Sequence, residues 1–283
     1  MPSVRTGDVE MYYEMAGAGD PIVWIPGTGL AGSMWDTHQI AHFREHYRCL
    51  TLDLRGSGRT VGGHLPPTVA DLATDVIGLM DALDLPPAHV VGLSLGSAVA
   101  QEIALLRPDR VRSAVLAATW SSTEREKHMQ RHFASRLYAL ENGPLDVYGQ
   151  FAFWMSSPSV IDGEPDLQAA VEAELRQHMS TRIDGTAAHF RADLAHETAD
   201  RLPQIACPTL VLYGEEDRIT LPRYNEAVAA AIPAAVVARI PRAGHLVWLE
   251  RPAELNGHIA RFLETATHRS PAPAQAGCVA EPQ

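Results

Sequence analysis

The sequence predicts an α/β fold in which a mostly parallel sheet is covered by helices on both faces. Short apolar runs alternate along the chain with longer segments whose apolar residues recur at helical spacing. Most of these runs are continuously apolar, which is typical of strands that are buried on both faces. A chain of 283 residues with 46% hydrophobic residues is long enough to form one such domain.

The first half of the chain supplies four predicted strands and two predicted helices. The strands cover Val9–Met15, Pro21–Ile25, Arg48–Asp53 and Ala88–Leu93. The segment Thr68–Leu85 has helical spacing, its start resembles a capping box, and the pair Pro86-Pro87 ends it. A second helix is expected to follow Leu93 and to end at Leu106, just before Arg107-Pro108.

The alternation continues with one more strand and resumes late in the chain. Strands are predicted over Val111–Ala118, Thr209–Tyr213 and Ala235–Ile240, and helices over Pro222–Ile232 and Pro252–Glu264. In the last helix the apolar residues lie on one face, and Pro252 occupies a first-turn position where proline is tolerated. These elements extend the same parallel sheet.

Residues 121–201 break this rhythm, because they contain helical patterns, many aromatic residues and few strand signals. We expect them to form a helical cap insertion over one end of the sheet. The predicted core is then divided into an N-terminal part, 1–120, and a C-terminal part, 202–267. Residues 268–283 are rich in Pro and Ala and nearly free of large apolar side chains, so a disordered tail is expected there.

Composition excludes several classes of partner and location. The chain has 23 Lys and Arg against 34 Asp and Glu, a formal charge of −11, so neither nucleic acid nor an anionic membrane is an expected partner. No apolar run is long enough to span a bilayer, and the first residues do not resemble a secretory signal. Three widely spaced cysteines without a CxxC pair favour a reducing, cytoplasmic location over a disulfide framework.

The strongest chemical signal is the segment Gly92-Leu93-Ser94-Leu95-Gly96, which follows a buried strand and opens a helix. A serine on such a tight turn has a strained backbone and an exposed hydroxyl group. Glycines two positions away on either side allow the close approach of neighbouring backbones. The alternative is an ordinary strand-to-helix loop, but the flanking elements favour a nucleophile at Ser94.

A serine hydroxyl needs a base that is held in place by a third group. His245 is the candidate base, because it is the only histidine between the last predicted strand and the last predicted helix. Asp217, directly after the strand Thr209–Tyr213, is the candidate acid, with Glu215 and Glu216 as rivals. The chain order of nucleophile, acid and base, each after a strand, is that of a serine α/β-hydrolase triad.

With these residues, the chain resembles the α/β-hydrolase superfamily over about residues 5–265, in its branch of serine carboxylesterases, enol-lactonases and haloperoxidase-like proteins. Further landmarks are Pro26-Gly27-Thr28-Gly29, the segment DLRGSGRT from Asp53, the acid turn GEED and the segment AGHLVWLERP. The resemblance implies an eight-stranded type of sheet with a cap. It also implies an oxyanion hole built from the backbone N–H groups of Thr28 and Leu95, and no cofactor.

The function expected from this resemblance is hydrolysis of a carboxylic ester or lactone of a small, apolar or aromatic molecule through an acyl-enzyme. Candidate pocket residues, chosen from the cap and from the ends of strands, are Trp120, Phe151, Trp154, Met155 and Leu246. Two alternatives stay open. In the first, the same triad cleaves a C–C bond or catalyses cyclisation or elimination on a biosynthetic intermediate. In the second, the protein is a non-catalytic receptor for a small ligand. The expected state is a monomer or homodimer.

A histidine pattern offers a competing interpretation. His42 and His46 match the HxxEH pattern of zinc proteases, and His38 precedes them by four residues. The pattern is short, and it lies in a predicted helix away from the carboxyl ends of the strands. We therefore interpret the three histidines as a solvated helix face and expect no metal. The same interpretation is given to the pair His128 and His132.

Overall fold

The structure is a computed structural model that describes residues 2–66, 68–142 and 152–267. Within these residues the chain forms a sheet of nine strands. The strands are β1 (Ser3–Thr6), β2 (Val9–Ala16), β3 (Asp20–Ile25), β4 (Tyr47–Leu52), β5 (Val61–Gly62), β6 (Ala88–Leu93), β7 (Val111–Ala117), β8 (Thr209–Gly214) and β9 (Val236–Ile240). The predicted fold class is confirmed, and β1 and β5 are strands that the sequence analysis did not predict.

The helices predicted from the sequence flank this sheet, together with a short helix, Val247–Glu250, that was not predicted. They are α1 (Ala41–Phe43), α2 (Val69–Ala82), α3 (Leu95–Leu106), α4 (Lys127–Asn142), α5 (Pro158–Gly163), α6 (Pro165–His178), α7 (Ile183–Ala195), α8 (Pro222–Ala231), α9 (Val247–Glu250) and α10 (Pro252–Thr267). The capping box at the start of α2 is present, because the Thr68 hydroxyl accepts from the Asp71 N–H while the Asp71 carboxylate accepts from the Thr68 N–H.

The strand order is β1-β2-β4-β3-β6-β7-β8-β9, with β5 beside β2. The strands from β4 to β9 along this order are parallel, and β1, β2 and β5 form an antiparallel edge. In the sheet, β4 lies on one side of β3 and β6 lies on the other side, so the direction of strand addition reverses at β3. Ligands bind at such a reversal, outside the carboxyl ends of the strands. The loops that follow β3 and β6 therefore meet at the expected position of a site.

Two apolar cores cover the faces of the sheet. One contains residues of α2 and α3 together with Phe133 and Phe190 from the helices that follow β7, and the other contains Trp24, Trp35 and residues of α10. Because strands β6 and β8 are buried along their whole length, their side chains contribute to both cores. This packing fixes the strand ends that carry the candidate site residues.

Helices α4 to α7 are inserted between β7 and β8 and reach the carboxyl end of the sheet. Met179, next to the end of α6, forms an isolated bridge with Leu30, in the loop after β3. The Phe133 ring of α4 lies 6.2 Å from the Phe190 ring of α7. The predicted disordered tail, 268–283, and the predicted pocket residue Phe151 lie outside the described residues. No helix within the described ranges has the length and apolar character that crossing a bilayer requires.

Candidate active site

Ser94 lies at the turn between β6 and α3, with φ 52° and ψ −120°. A positive φ is unfavourable for a residue with a side chain, so the turn is strained, as expected for a nucleophile elbow. A Cβ atom on Gly92 would overlap the carbonyl oxygen of Gly96, and a Cβ atom on Gly96 would overlap the carbonyl oxygen of Ile25. Both glycines are therefore required by the close approach of backbones around Ser94.

Asp217 and His245 form a buried hydrogen-bonded pair. The Asp217 Oδ2 atom lies 2.9 Å from His245 Nδ1 and 2.7 Å from the hydroxyl of Thr220. Its Oδ1 atom accepts from the backbone N–H groups of Ile219 and Thr220 at 2.7 and 3.0 Å. An ionised carboxylate only accepts hydrogen bonds, so the His245 ring donates from Nδ1 and leaves Nε2 as an acceptor. That tautomer is the one a general base requires.

The loop that carries His245 is held by Glu250 and by the cap. Both Glu250 carboxylate oxygens accept backbone N–H groups, one from Gly244 at 2.6 Å and one from Ser157 at 2.8 Å. The backbone N–H of His245 donates to the backbone carbonyl oxygen of Met155 at 2.8 Å. Burial raises the pKa of Glu250. The base loop and residues 155–157 of the insertion are thus fixed to each other through one buried carboxyl group.

The loop after β3 carries Thr28 and is held by hydrogen bonds to a residue next to β4 and to a residue of the cap. Asp53, one residue after β4, accepts the Gly32 N–H at 2.8 Å. The Thr28 hydroxyl donates to Asp193 Oδ2 of α7 at 2.8 Å. Burial raises the pKa of Asp193 to about 8, so this carboxyl group holds a proton at neutral pH.

A second residue of α7 fixes the same loop. His189 accepts the Gly29 N–H at Nδ1, at 3.1 Å, and donates from Nε2 to the Arg55 carbonyl oxygen at 2.7 Å. Burial lowers the pKa of His189 to about 4, so the ring is neutral and its tautomer is set by these two partners. Leu95 follows Ser94 directly and is the first residue of α3. The N–H groups at that position have no acceptor inside the helix.

Ser94, His245 and Thr28 line one cavity between the sheet and the cap, which we call the serine cavity. It measures about 550 Å³, including the part that opens to solvent. Apart from Gly27, its remaining described lining is apolar except for His132. The apolar residues are Leu30, Leu93, Phe133, Met155, Leu175, Met179, Phe190, Ile219 and Trp248. Such a lining with a few convergent polar groups is typical of a site for a small, largely apolar molecule.

Comparison with known proteins agrees with this geometry. A model of the alpha/beta hydrolase family matches residues 22–257. The chain belongs to the α/β-hydrolase family. It is 34% identical over 259 residues to the putative non-heme bromoperoxidase BpoC of Mycobacterium tuberculosis, covering 90% of this chain and 97% of that protein.

Two solved structures of this α/β-hydrolase fold are also similar. An esterase from Thermogutta terrifontis superposes with a TM-score of 0.82 at 25% identity, over 94% of this chain and 99% of that one. The enol-lactonase from Burkholderia xenovorans LB400 gives a TM-score of 0.80 at 25% identity, over 93% and 100% of the two chains. Both similarities therefore extend over nearly the whole of this chain.

The predicted pocket residues lie in different places. Met155 lines the serine cavity, whereas Trp120, Trp154 and Leu246 are not among its described lining residues. Trp120 is completely buried, donates from Nε1 to the Thr123 hydroxyl at 2.8 Å and packs against Phe133. Leu246 is also completely buried, and Trp154 is 48% exposed. For these three residues the prediction differs from the structure, because a strand end or a cap position does not fix the direction of a side chain.

The three histidines of the zinc-like pattern lie away from the serine cavity. His38 Nε2 is 3.5 Å from Glu174 Oε2, and the His42 ring packs against Phe43. Within residues 2–66, 68–142 and 152–267, no group of three His, Cys, Asp or Glu side chains is arranged to hold a metal ion. The predicted helix over these histidines is divided into a 3₁₀ turn, Gly32–Trp35, a π turn, Asp36–Ile40, and α1.

Several residues of the site were not singled out for these positions by the sequence. Thr220 and Glu250 support the acid and the base loop, Asp193 and His189 support the loop of Thr28, and His132 lines the cavity. Thr220 follows Asp217 at the spacing of a side-chain turn, which is a signal that sequence reading can detect. The pairing of Asp193 with Thr28 spans 165 residues and leaves no local signal.

Proposed function

We propose that this α/β-hydrolase is a serine hydrolase that cleaves a carboxylic ester or lactone of a small, apolar molecule through an acyl-enzyme. One observation carries the proposal. The Asp217–His245 pair and Ser94 converge on a single apolar cavity, and the bonds of Asp217 fix the His245 tautomer in which Nε2 accepts a proton. In acyl transfer a serine hydroxyl is activated by an imidazole that accepts its proton, and Ser94 and His245 both line this cavity.

In the proposed reaction, Ser94 Oγ attacks the carbonyl carbon while its proton passes to His245 Nε2. The negative charge that forms on the carbonyl oxygen is stabilised by the N–H groups of Thr28 and Leu95. Each such donor is worth roughly 10²–10³ in rate. When the C–O bond breaks, the His245 imidazolium protonates the leaving alkoxide. Water then attacks the Ser94 ester with His245 again as base, which releases the carboxylic acid and restores the serine.

The lining of the serine cavity supports a substrate without charge. Among the described lining residues, the polar side chains are Thr28, Ser94, His132 and His245, and none is a carboxylate, lysine or arginine. An anionic group in this environment would lose its hydration without gaining a cationic partner. The similarity to an esterase and an enol-lactonase supports ester and lactone substrates in particular.

Labelling with a fluorophosphonate and turnover of p-nitrophenyl butanoate test the proposal. We expect the parent protein to react with the probe at Ser94, as located by mass spectrometry, and to release p-nitrophenol. Ser94→Ala should abolish both, while a control, Ser3→Ala on the exposed edge strand β1, should change neither. Treatment with EDTA should leave activity unchanged, since no proposed step uses a metal ion.

Absence of both turnover and labelling would contradict the proposal. If the parent protein hydrolyses neither p-nitrophenyl esters nor lactones and its Ser94 resists the probe, the triad is not a working hydrolase. Binding of a small ligand without turnover would then favour the receptor interpretation. If Ser94→Ala hydrolyses as fast as the parent protein, Ser94 is not the nucleophile.

A further inference from the structure

His132 is the one polar side chain that the described part of the cap presents to the serine cavity. It lies in the second turn of α4, next to Phe133, whose ring packs 5.3 Å from Trp120 and 6.2 Å from Phe190. The position of this turn is therefore set by the apolar core. The histidine is held at the wall of the cavity that Ser94 also lines.

The ring of His132 is neutral under ordinary conditions. Burial lowers its pKa to about 3, and the positive charges of Arg136, His245 and His128 add to this effect. It stays neutral even when His245 gains a proton during the proposed reaction. A neutral imidazole has one N–H donor and one nitrogen acceptor. His132 can therefore donate a hydrogen bond into the cavity without adding a charge.

Nothing in the described chain uses that donor. The His132 ring packs edge-on against Phe133 at 5.6 Å, but its nitrogens make no hydrogen bond to any described residue. His132 is partly exposed, so water can reach its ring in the free protein; a substrate that displaces this water from an apolar wall has to offer the N–H another acceptor. The scissile carbonyl group is already taken by Ser94 and the N–H groups of Thr28 and Leu95, so the partner is another atom.

We propose that His132 donates a hydrogen bond to a second, uncharged oxygen of the substrate, outside the scissile carbonyl group. The inference rests on the proposed ester or lactone hydrolysis and narrows its substrate class. The preferred substrates carry a keto, ether or hydroxyl oxygen on an otherwise apolar frame. A carboxylate at that position is disfavoured, because a neutral imidazole does not compensate its charge.

Matched pairs of esters test this proposal on either side of the scissile bond. The acyl pair is p-nitrophenyl 3-methoxypropanoate and p-nitrophenyl pentanoate, and the alcohol pair is 2-methoxyethyl butanoate and butyl butanoate. Within each pair, an ether oxygen replaces a methylene group of similar size. The values of kcat/KM are compared for the parent protein, for His132→Phe, which keeps a ring without N–H, and for His132→Gln, which restores a donor.

In at least one pair, we expect the parent protein to favour the oxygen-containing ester, after correction for the reactivity of each ester towards hydroxide. His132→Phe should reduce that preference by about tenfold, the usual effect of one hydrogen bond, and His132→Gln should recover part of it. Labelling of Ser94 by an excess of fluorophosphonate should reach one probe per chain in all three proteins, whatever its rate, which shows that the triad is intact. A merely structural histidine would lower both members of a pair equally.

Two results would overturn the inference while leaving the proposed function in place. One is a parent protein that hydrolyses all four esters without preference in either pair. The other is a His132→Phe variant that retains the preference of the parent protein. Failure of the proposed function looks different, because then the parent protein would hydrolyse none of the esters and Ser94 would resist the probe.

Discussion

Replacing Asp217 by asparagine should preserve the fold and reduce kcat by about 10⁴-fold, equivalent to about 5.5 kcal/mol of transition-state stabilisation. The side chain accepts four hydrogen bonds, two at each carboxylate oxygen. Asparagine has only one oxygen, so two of these four donors must meet an NH₂ group instead. The consequence depends on which two donors they are.

The Asp217 Oδ1 position faces two backbone N–H groups, which cannot change from donors to acceptors. The asparagine oxygen will therefore occupy that position and keep the turn to Thr220 intact. Its NH₂ group then faces the Thr220 hydroxyl, which can rotate to accept, and His245 Nδ1, which can accept only if its proton moves to Nε2. The result is a folded protein whose imidazole has the wrong tautomer for a base.

The assay is the release of p-nitrophenol from p-nitrophenyl butanoate, together with urea unfolding of the same preparations. Glu215→Gln is the matched control, because Glu215 is an exposed neighbour in the same turn. We expect the control to retain the activity of the parent protein and Asp217→Asn to lose about four orders of magnitude in kcat with an unchanged unfolding midpoint. A folded Asp217→Asn variant within tenfold of the parent kcat would refute the assignment of the acid.

Three further substitutions test the packing around the site. Gly96→Ala places a methyl group against the Ile25 carbonyl oxygen and should cost more than about 4 kcal/mol in urea unfolding; a loss below about 1 kcal/mol would contradict the close approach. Trp120→Ala should cost about 3–5 kcal/mol of stability, because this side chain is completely buried; a loss below about 1 kcal/mol would contradict its place in the core. The stability of Asp193→Asn relative to the parent protein should rise between pH 4 and pH 8. In this range the buried Asp193 carboxyl group, with its pKa raised to about 8, stays protonated in the folded parent protein, whereas the same group ionises in the unfolded chain and thereby favours unfolding. A stability difference independent of pH would contradict this assignment.

The elbow and the alternation of strands and helices could be predicted because their signals are local. Gly92, Ser94 and Gly96 lie within five residues. The positive φ of Ser94 and the close backbone contacts of the two glycines therefore belong to one turn. Asp217 and His245 are distant in sequence, but each follows a buried strand of one parallel sheet. The carboxyl ends of parallel strands lie at one edge of the sheet, so the alternation of strands and helices was sufficient to bring these residues together.

The pocket could not be predicted in the same way. Trp120 comes three residues after the end of β7, yet its side chain packs beside Phe133 and is not among the described lining residues of the cavity. His128 and His132 are spaced by one helical turn, which in most helices indicates a solvated face. In this structure, His132 lies at the cavity wall instead. The direction of each side chain depends on how α4 packs against α7, and that packing is set by contacts between residues that are distant in sequence.

Helix α7 belongs to the insertion by sequence but acts as part of the candidate catalytic site. Its Asp193 and His189 hold the Thr28 hydroxyl and the Gly29 N–H, and the preceding segment adds bonds from the Ser180 N–H to the Gly29 carbonyl oxygen and from the Ala31 N–H to the His178 carbonyl oxygen. A rigid displacement of the whole insertion would break these bonds and release the loop that carries the proposed oxyanion donor. Substrate entry that keeps the site assembled therefore requires α7 to stay in place.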